Sequence, residues 1–351
     1  MESKRSLPAS LPPESTTDIY RNLQDSTASD AGAAISEYCA SRSAQQGVTV
    51  RYIAGGTTLL DLMKLNVESP GKLIDINGLP LDKIETTSDG GLKIGALVRN
   101  SDLANHPYVK TNFAVLSEAI LSGASVQLRN MATTGGNLLQ RTRCEYFRDT
   151  VFPCNKREPG SGCAAIAGEN RTLAILGTSD SCIATNPSDM NVALSALEAV
   201  IHIQGPGGER KVAIDDFFVL PGSTPHVENV LQPGDLITHV TVKPLPAGAN
   251  STYLKLRDRA SYEFALASAA VIVKRDGDKI THVRVALGGV GAKPWRALAA
   301  EKSLHGSSVS PENFRKAAED ELRTAKAQSH NGFKIELSKR CLSHALKLAT
   351  T

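Results

Sequence analysis

The sequence predicts an α+β protein, in which a long two-lobed part is followed by a small C-terminal antiparallel sheet packed by helices. Three observations indicate this fold class. Strand-like apolar runs alternate with helical spacing up to residue 246, a linker with two prolines and a glycine runs from Pro244 to Asn250, and two amphipathic stretches end the chain. The length of 351 residues is sufficient for two domains with buried cores.

The first lobe, residues 31–78, begins with a unit of strand, glycine turn, helix and strand. The predicted elements are a helix over Ala31–Ala44, a strand over Val48–Ala54, the turn Gly55-Gly56-Thr57-Thr58, a helix over Leu59–Leu65 and a strand over Lys72–Ile76. In such a unit, a phosphate can bind to the amides of the turn and the start of the helix. The first lobe is therefore a candidate phosphate-binding unit.

The second lobe is expected over residues 79–246, and a C-terminal domain over residues 247–351. Predicted strands of the second lobe are Gly91–Ala96, Val200–Gln204, Lys211–Ile214 and Leu236–Val242, and its predicted helices start at Asn100 and cover Phe113–Ser122 and Asn191–Glu198. The C-terminal domain has predicted strands over Thr252–Arg257, Phe264–Lys274 and Ile280–Leu287, and helices over Pro311–Ala325 and Ile335–Leu348.

The composition excludes several classes of partner. A net charge of +3 gives no reason to expect nucleic acid or an anionic membrane. The longest apolar run, Phe264–Val273, is about half the length that spanning a bilayer needs. Residues 1–30 are predicted to be a disordered tail, and Met1–Thr17 has three prolines and no apolar core, so no signal peptide is expected. This favours the cytoplasm, whereas export as a folded passenger on a signal-bearing partner would lead to the periplasm.

Two segments with paired glycines are candidate phosphate loops. The first, Ala54-Gly55-Gly56-Thr57-Thr58, lacks both the G-x-G-x-x-G spacing of dinucleotide folds and the Gly-Lys-Ser/Thr of a P-loop. Taken alone, it would most often be a plain tight turn. A second segment, Thr133-Thr134-Gly135-Gly136-Asn137, matches it. Two such loops can hold one pyrophosphate from both sides, with hydroxyls and amides as donors.

Four of the six cysteines lie within 39 positions, with the spacing C-x9-C-x8-C-x18-C: Cys144, Cys154, Cys163 and Cys182. Zinc knuckles and compact ferredoxin spacings are both absent. The pattern leaves two interpretations open, a metal site and buried structural thiols. The segment is loop-like and basic, which suits a negatively charged cluster of thiolates but equally suits a solvated loop. Cys39 and Cys341 are expected to be core or surface thiols.

Asp189 follows Pro187-Ser188 at a predicted helix start. One interpretation is structural, with Ser188 as the N-cap and Asp189 as a first-turn carboxylate. The other adds a hydrogen bond from a ribityl or ribose hydroxyl of a ligand. His106, His226 and Trp295 receive no role, and no Ser-His-Asp or paired-carboxylate arrangement is recognisable.

At these residues the chain resembles the FAD-binding (medium) subunits of the xanthine dehydrogenase and aldehyde oxidoreductase family of molybdenum hydroxylases. The resemblance covers roughly Val50 to Leu304, and its landmarks are the segments 53–60, 128–138, 187–189 and 286–290. The cysteine segment, with Pro153-Cys154, Gly162-Cys163 and Ser181-Cys182, resembles the branch that carries an extra [4Fe–4S] cluster, which includes a periplasmic aldehyde oxidoreductase.

The resemblance implies a fold and a set of site residues. The fold is a two-lobed FAD-binding domain of the vanillyl-alcohol-oxidase type, with the cluster loop at residues 140–185. The FAD pyrophosphate would be bound by two loops, made of Arg51, Tyr52, Ile53, Ala54, Gly55, Gly56, Thr57, Thr58 and Leu59, and of Thr133, Thr134, Gly135, Gly136 and Asn137. Asp189 would contact the polar chain of the flavin, Leu236 or Ile237 would line its ring, and Lys255 would lie near it. Cys144, Cys154, Cys163 and Cys182 would ligate the iron.

The implied function is electron transfer in a heterotrimeric molybdenum enzyme, and the chain is thus expected to be an oxidoreductase subunit. A molybdenum-cofactor subunit would oxidise an aldehyde or a related substrate, a [2Fe–2S] subunit would pass electrons to FAD here, and an external acceptor would receive them. Two alternatives remain open at this point: a stand-alone flavin oxidase and a non-enzymatic zinc-loop interaction module.

Overall fold

The computed structural model describes residues 23–40 and 50–351. Its strands form three sheets, of three, five and four strands, and helices pack against them. This confirms the predicted α+β class with a two-lobed part and a small C-terminal sheet. Across the described part of the chain, no helix is long and apolar enough to cross a bilayer.

The first lobe is a three-stranded parallel sheet in the order β1-β3-β2. Its elements are β1 (Gln24–Thr27), α1 (Ala31–Ala40), β2 (Val50–Ile53), α2 (Leu59–Lys64) and β3 (Lys72–Asp75). The core of this lobe is formed by Ile35 and Tyr38 of α1, Val50 of β2 and Ile74 of β3. The two predicted ends at residues 41–44 and 48–49 lie outside the described residues.

The prediction of a disordered tail over residues 1–30 is wrong for Gln24–Thr27. This polar segment pairs in parallel with β3 along its whole length, from Gln24 opposite Lys72 to Thr27 opposite Asp75. Strand pairing satisfies its backbone groups without an apolar side-chain pattern, so no local pattern predicted a strand here. Residues 1–22 of the predicted tail lie outside the described residues.

The second lobe is a five-stranded antiparallel sheet in the order β4-β5-β8-β6-β7, packed by helices. Its strands are β4 (Ile84–Thr86), β5 (Leu92–Gly95), β6 (Val200–Gly205), β7 (Gly208–Ala213) and β8 (Leu236–Val242). Its helices are α3 (Asn100–Asn105), α4 (Pro107–Asn112), α5 (Ala114–Ser122), α6 (Val126–Met131), α7 (Thr134–Leu138), α8 (Glu145–Arg148), α9 (Ala164–Ala167), α10 (Asp189–Ala196) and α11 (Ile214–Phe217). Buried residues of β5, β6 and β8 share one hydrophobic core with residues of α5 and α10.

The C-terminal domain is a four-stranded antiparallel sheet in the order β12-β11-β10-β9. Its elements are β9 (Asn250–Leu256), β10 (Ala267–Asp276), β11 (Lys279–Gly288), β12 (Trp295–Arg296), α12 (Leu298–Leu304), α13 (Pro311–Leu322) and α14 (Phe333–Thr350). Val271 and Val273 of β10 face the core with α13 and α14, whereas Ala270 and Ile272 belong to the core of the second lobe. Because β10 is covered on both faces, its sequence is a continuous apolar run.

A buried lysine joins α14 to the rest of the chain. The Nζ atom of Lys334 donates to the carbonyl oxygens of Thr172, Leu173 and Gly289 at 2.9, 2.9 and 2.6 Å. The side chain has no exposed surface. Burial, with a smaller contribution from Arg171, lowers the pKa of Lys334 to about 7. The C-terminal helix is therefore fixed to the segment that follows the cysteine loop.

Candidate functional site

A cleft of about 330 Å³ is lined by residues of both lobes. Its walls include the whole first glycine loop, Thr133, Gly135 and Gly136 of the second, and Leu236 and Ile237 at the start of β8. The structure therefore brings together fourteen of the eighteen residues predicted to contact FAD: residues 51–59, Thr133, Gly135, Gly136, Leu236 and Ile237.

The first glycine loop touches the backbone just before the second loop at Gly55. A Cβ atom at this position would lie 2.0 Å from the carbonyl oxygen of Met131 and 3.1 Å from the Cα of Ala132, both of them backbone atoms. Only glycine permits so close an approach. Gly56 has φ +69°, a left-handed conformation that also favours glycine. Glycine is thus required at residue 55 by the close backbone contact and favoured at residue 56 by the conformation of the turn.

Arg99, which the sequence analysis did not single out, ties the same loops together. Its guanidinium donates to the carbonyl oxygen of Met131 at 2.5 Å and to Oδ1 of Asn77 at 3.0 Å. The amide of Asn77 in turn donates to the carbonyl oxygen of Ala54 at 3.0 Å. Arg99 therefore bonds directly to Met131, just before the second loop, and through Asn77 to the first loop.

The loops differ in the donors that they leave for a ligand. Within the described residues, the N–H groups of Gly55, Gly56 and Thr57 donate to no other backbone group. In the second loop, Gly135 donates to Ala96 and Gly136 donates to Oγ1 of Thr133. The first loop is thus the one with amides free to bind phosphate oxygens.

Two residues of the second loop do not line the cleft. Thr134 is fully buried, and its hydroxyl donates to the carbonyl oxygen of Val98 at 3.2 Å. Oδ1 of Asn137 accepts from the hydroxyl of Ser188 at 2.7 Å. Both residues hold the loop in place, and a contact between them and FAD stays a prediction.

Charged side chains form a row along one wall of the cleft. Arg51 pairs with Glu68 at 2.9 Å, Glu68 with Arg141 at 2.6 Å, and Arg141 with Glu228 at 2.6 Å. Burial opposes the ionisation of Glu228, but Arg141 and Lys156 outweigh it and lower the pKa of this carboxyl to about 2. Glu228 is therefore ionised at neutral pH.

The opposite part of the cleft is aromatic and apolar. The rings of Tyr38 and Tyr52 lie 4.9 Å apart, and the hydroxyl of Tyr52 donates to the carbonyl oxygen of Gly234 at 3.2 Å. Leu236 and Ile237 are buried beside them. His226, for which no role was predicted, also lines the cleft, and its buried Nδ1 has no partner among the described residues.

Asp189 and Lys255 do not line this cleft. Ser188 caps α10 by accepting from the N–H of Asn191 at 3.1 Å, as the structural interpretation predicted. Asp189 pairs with Lys255 at 2.8 Å and accepts from the hydroxyl of Tyr253 at 2.6 Å. These contacts link α10 to β9 of the C-terminal domain, and a role of either residue toward the flavin stays a prediction.

The four clustered cysteines come together in one apolar core. Cys144, Cys154 and Cys182 are buried, Cys163 is partly buried, and all four are free thiols. They pack with Phe147 and with Leu62 of α2. Cys154 lies opposite Cys163 in an isolated antiparallel bridge, and the N–H of Ala184 donates to the sulfur of Cys182 at 3.5 Å.

Burial disfavours the thiolate form of three of these cysteines. Burial raises the pKa of Cys144 to about 12 and also raises the pKa values of Cys163 and Cys182. Lys156 opposes that rise at Cys182. In the part of the chain that the structure describes, no group of three or more His, Cys, Asp or Glu side chains has the arrangement of a metal site.

Fold and cleft together define a two-domain flavoprotein. Residues 32–246 match the FAD binding domain in molybdopterin dehydrogenase, and residues 252–348 match the CO dehydrogenase flavoprotein C-terminal domain. The chain belongs to the family of FAD-binding medium subunits of the molybdenum hydroxylases. It is an oxidoreductase component, as the resemblance predicted.

Relatives and solved structures agree with this assignment. The chain is 54% identical to the aldehyde oxidoreductase FAD-binding subunit PaoB of Escherichia coli K12 over 88% of this chain and 93% of that protein. It is 31% identical to the glyceraldehyde dehydrogenase medium chain of Sulfolobus acidocaldarius over 74% of each chain. The structure of the carbon monoxide dehydrogenase of Hydrogenophaga pseudoflava is similar with a TM-score of 0.72 and 25% identity, over 94% of this chain and 97% of that one.

Proposed function

We propose that this chain is the FAD and [4Fe–4S] subunit of a heterotrimeric molybdenum-dependent aldehyde oxidoreductase. It would receive electrons from a [2Fe–2S] subunit and deliver them to an external acceptor. The observation that carries the proposal is the cleft between the two glycine loops, which has free amides at one loop and an apolar wall at Leu236 and Ile237. The 54% identity to a subunit named for aldehyde oxidation supports the substrate class.

The residues of the cleft fit the parts of FAD. The N–H groups of Gly55, Gly56 and Thr57 would donate to the pyrophosphate, and Arg51 would add a positive charge beside it. Leu236 and Ile237 would pack against the ring and exclude water from it. Bound FAD accepts electrons singly and passes them on in pairs, and the chain contributes its position and its electrostatic surroundings.

The cysteine loop supplies the four thiols that ligation of a [4Fe–4S] cluster would need. Four free thiols converge in one core, although thiolate is the form that binds metal and burial disfavours it. Iron would replace the protons and compensate the buried negative charge. Lys156 and the N–H of Ala184 near Cys182 would then stabilise ligating sulfur, as hydrogen bonds and charges do around such clusters.

The serine variant of one predicted ligand tests the cluster. We expect Cys144→Ser to lose the iron, sulfide and visible absorbance of the [4Fe–4S] cluster, while the absorbance of the partner's [2Fe–2S] cluster and some FAD remain, because the cleft does not include this residue. The measurement is the visible spectrum together with iron, sulfide and flavin content, on protein prepared anaerobically with its partner subunits. The matched control is Cys39→Ser, since Cys39 is exposed and outside the cluster loop.

Three outcomes would reject parts of the proposal. Full iron and sulfide content in Cys144→Ser would refute the ligand assignment. One zinc per chain, with no iron and no colour, would favour the zinc-loop module. Oxidation of aldehydes by the purified chain without its partners would favour a stand-alone flavin oxidase.

A further inference from the structure

Glu228 lies in the wall between the flavin cleft and the cysteine loop. A second, small cavity of about 40 Å³ lies beside the cleft, and Leu139, Glu228 and Asn229 line both of them. The small cavity is also lined by Lys156 and Cys182. A single carboxylate therefore stands between the proposed FAD site and one of the proposed iron ligands.

The two carboxylate oxygens of Glu228 have partners on different sides of this wall, one at the cleft and one at the small cavity. Oε2 accepts from Nε of Arg141 at 2.6 Å, and Arg141 lines the cleft. Oε1 pairs with Nζ of Lys156 at 3.1 Å, and Lys156 lines the small cavity. Both cations are held at their other contacts as well, Arg141 by Glu68 at 2.6 Å and Lys156 by the carbonyl oxygen of Pro225 at 2.8 Å.

Lys156 and Arg141, the two cations bonded to Glu228, lie where solvent screens their charges only weakly. The side chains of Lys156 and Arg141 are 10% and 19% exposed. Arg141 also covers the ring of Phe147, with its guanidinium carbon 4.5 Å from the ring centroid, and Phe147 belongs to the core that holds the cysteines. Charges so placed are weakly screened by salt and interact more strongly than exposed ones.

We infer that Glu228 is a positioning residue that couples the flavin and the cluster electrostatically, by holding Arg141 at the cleft and Lys156 at the thiols. This inference rests on the proposed function, because it needs both cofactors. Its consequence is that one substitution in the wall alters the reduction potentials of both centres.

The test is a redox titration of the assembled enzyme, followed by visible and electron paramagnetic resonance spectra. In Glu228→Gln, which keeps the shape but loses the charge, both potentials should become more positive, since removing a negative charge favours the reduced form. In Lys156→Met, the cluster potential should become more negative and the flavin potential should move less. The matched control is Glu319→Gln on α13, whose side chain is exposed and pairs with Arg315 in the same helix. It should leave both potentials unchanged.

The outcomes separate this inference from the proposed function. Wild-type enzyme whose iron and sulfide are fully accounted for by the [2Fe–2S] subunit would refute the proposed function itself. Wild-type occupancy of both cofactors in Glu228→Gln, with neither potential shifted or with only one shifted, would overturn the coupling. If Glu228→Gln fails to hold its cofactors, Lys156→Met decides: an unchanged cluster potential there would overturn it too.

Discussion

Replacing Gly55 by alanine should weaken FAD binding by separating the two glycine loops. The new Cβ would lie 2.0 Å from the carbonyl oxygen of Met131, whereas ordinary contact begins at 3.4 Å, so the backbones must part by roughly 1.4 Å. Overpacking of this kind typically costs about 1–3 kcal/mol. Because the loops must approach each other around the pyrophosphate, we expect the dissociation constant of FAD to rise roughly tenfold to hundredfold.

The assay is a titration of flavin-free protein with FAD, followed by quenching of flavin fluorescence. Gly78→Ala is the matched control, because a Cβ at Gly78 would meet nothing within 4 Å. Chemical unfolding of both variants separates a loss of affinity from a loss of folding. If Gly55→Ala binds FAD as tightly as Gly78→Ala does, the inferred contact between the loops does not govern cofactor binding.

Two further predictions concern stability. Asp189→Ala should lower the free energy of unfolding by about 3–5 kcal/mol, because it leaves the buried ammonium of Lys255 without its carboxylate. The double variant Asp189→Ala with Lys255→Met should recover part of that loss. Urea unfolding measures both variants, and an unchanged stability of Asp189→Ala would contradict the structural role of the pair. For Lys334, the folded pKa near 7 lies below the unfolded 10.5, so the folded chain binds fewer protons between these values and stability rises with pH there. The rise is at most about 1.4 kcal/mol per pH unit. It should be absent from Lys334→Met and present in Lys347→Met, whose lysine is exposed on the same helix; equal pH slopes in both variants would refute it.

Local patterns were sufficient for most of the elements and for much of the cleft. Paired glycines, a strand before them and a helix after them identified the first loop, because these signals depend on residues that are adjacent in sequence. The continuous apolar run at β10 predicted a strand, and the structure shows that both of its faces are covered. The polar segment Gln24–Thr27 was missed, since its stability comes from pairing with β3, whose residues lie about 50 positions further along the chain.

The site was harder to predict where its contacts join distant segments. Arg99 looked like an ordinary charged residue, and only the fold shows that it bonds to Met131 and Asn77. Asp189 and Lys255 were both assigned to the flavin, but the structure pairs them with each other. The carboxylate of Glu228 carried no local signal at all, although it stands between the cleft and the cysteine loop.

By itself, the sequence determined the α+β class, the two glycine loops and the candidate set of four thiols, because periodicity, turn residues and residue chemistry are properties of short stretches. The tertiary structure decided which of these residues meet. It placed Gly55 against the backbone that leads into the second loop, gathered the cysteines around Phe147 and paired Asp189 with Lys255. Burial and distance act between segments far apart in the chain, so ionisation, ion pairing and access to the cofactor are fixed only when the lobes have packed.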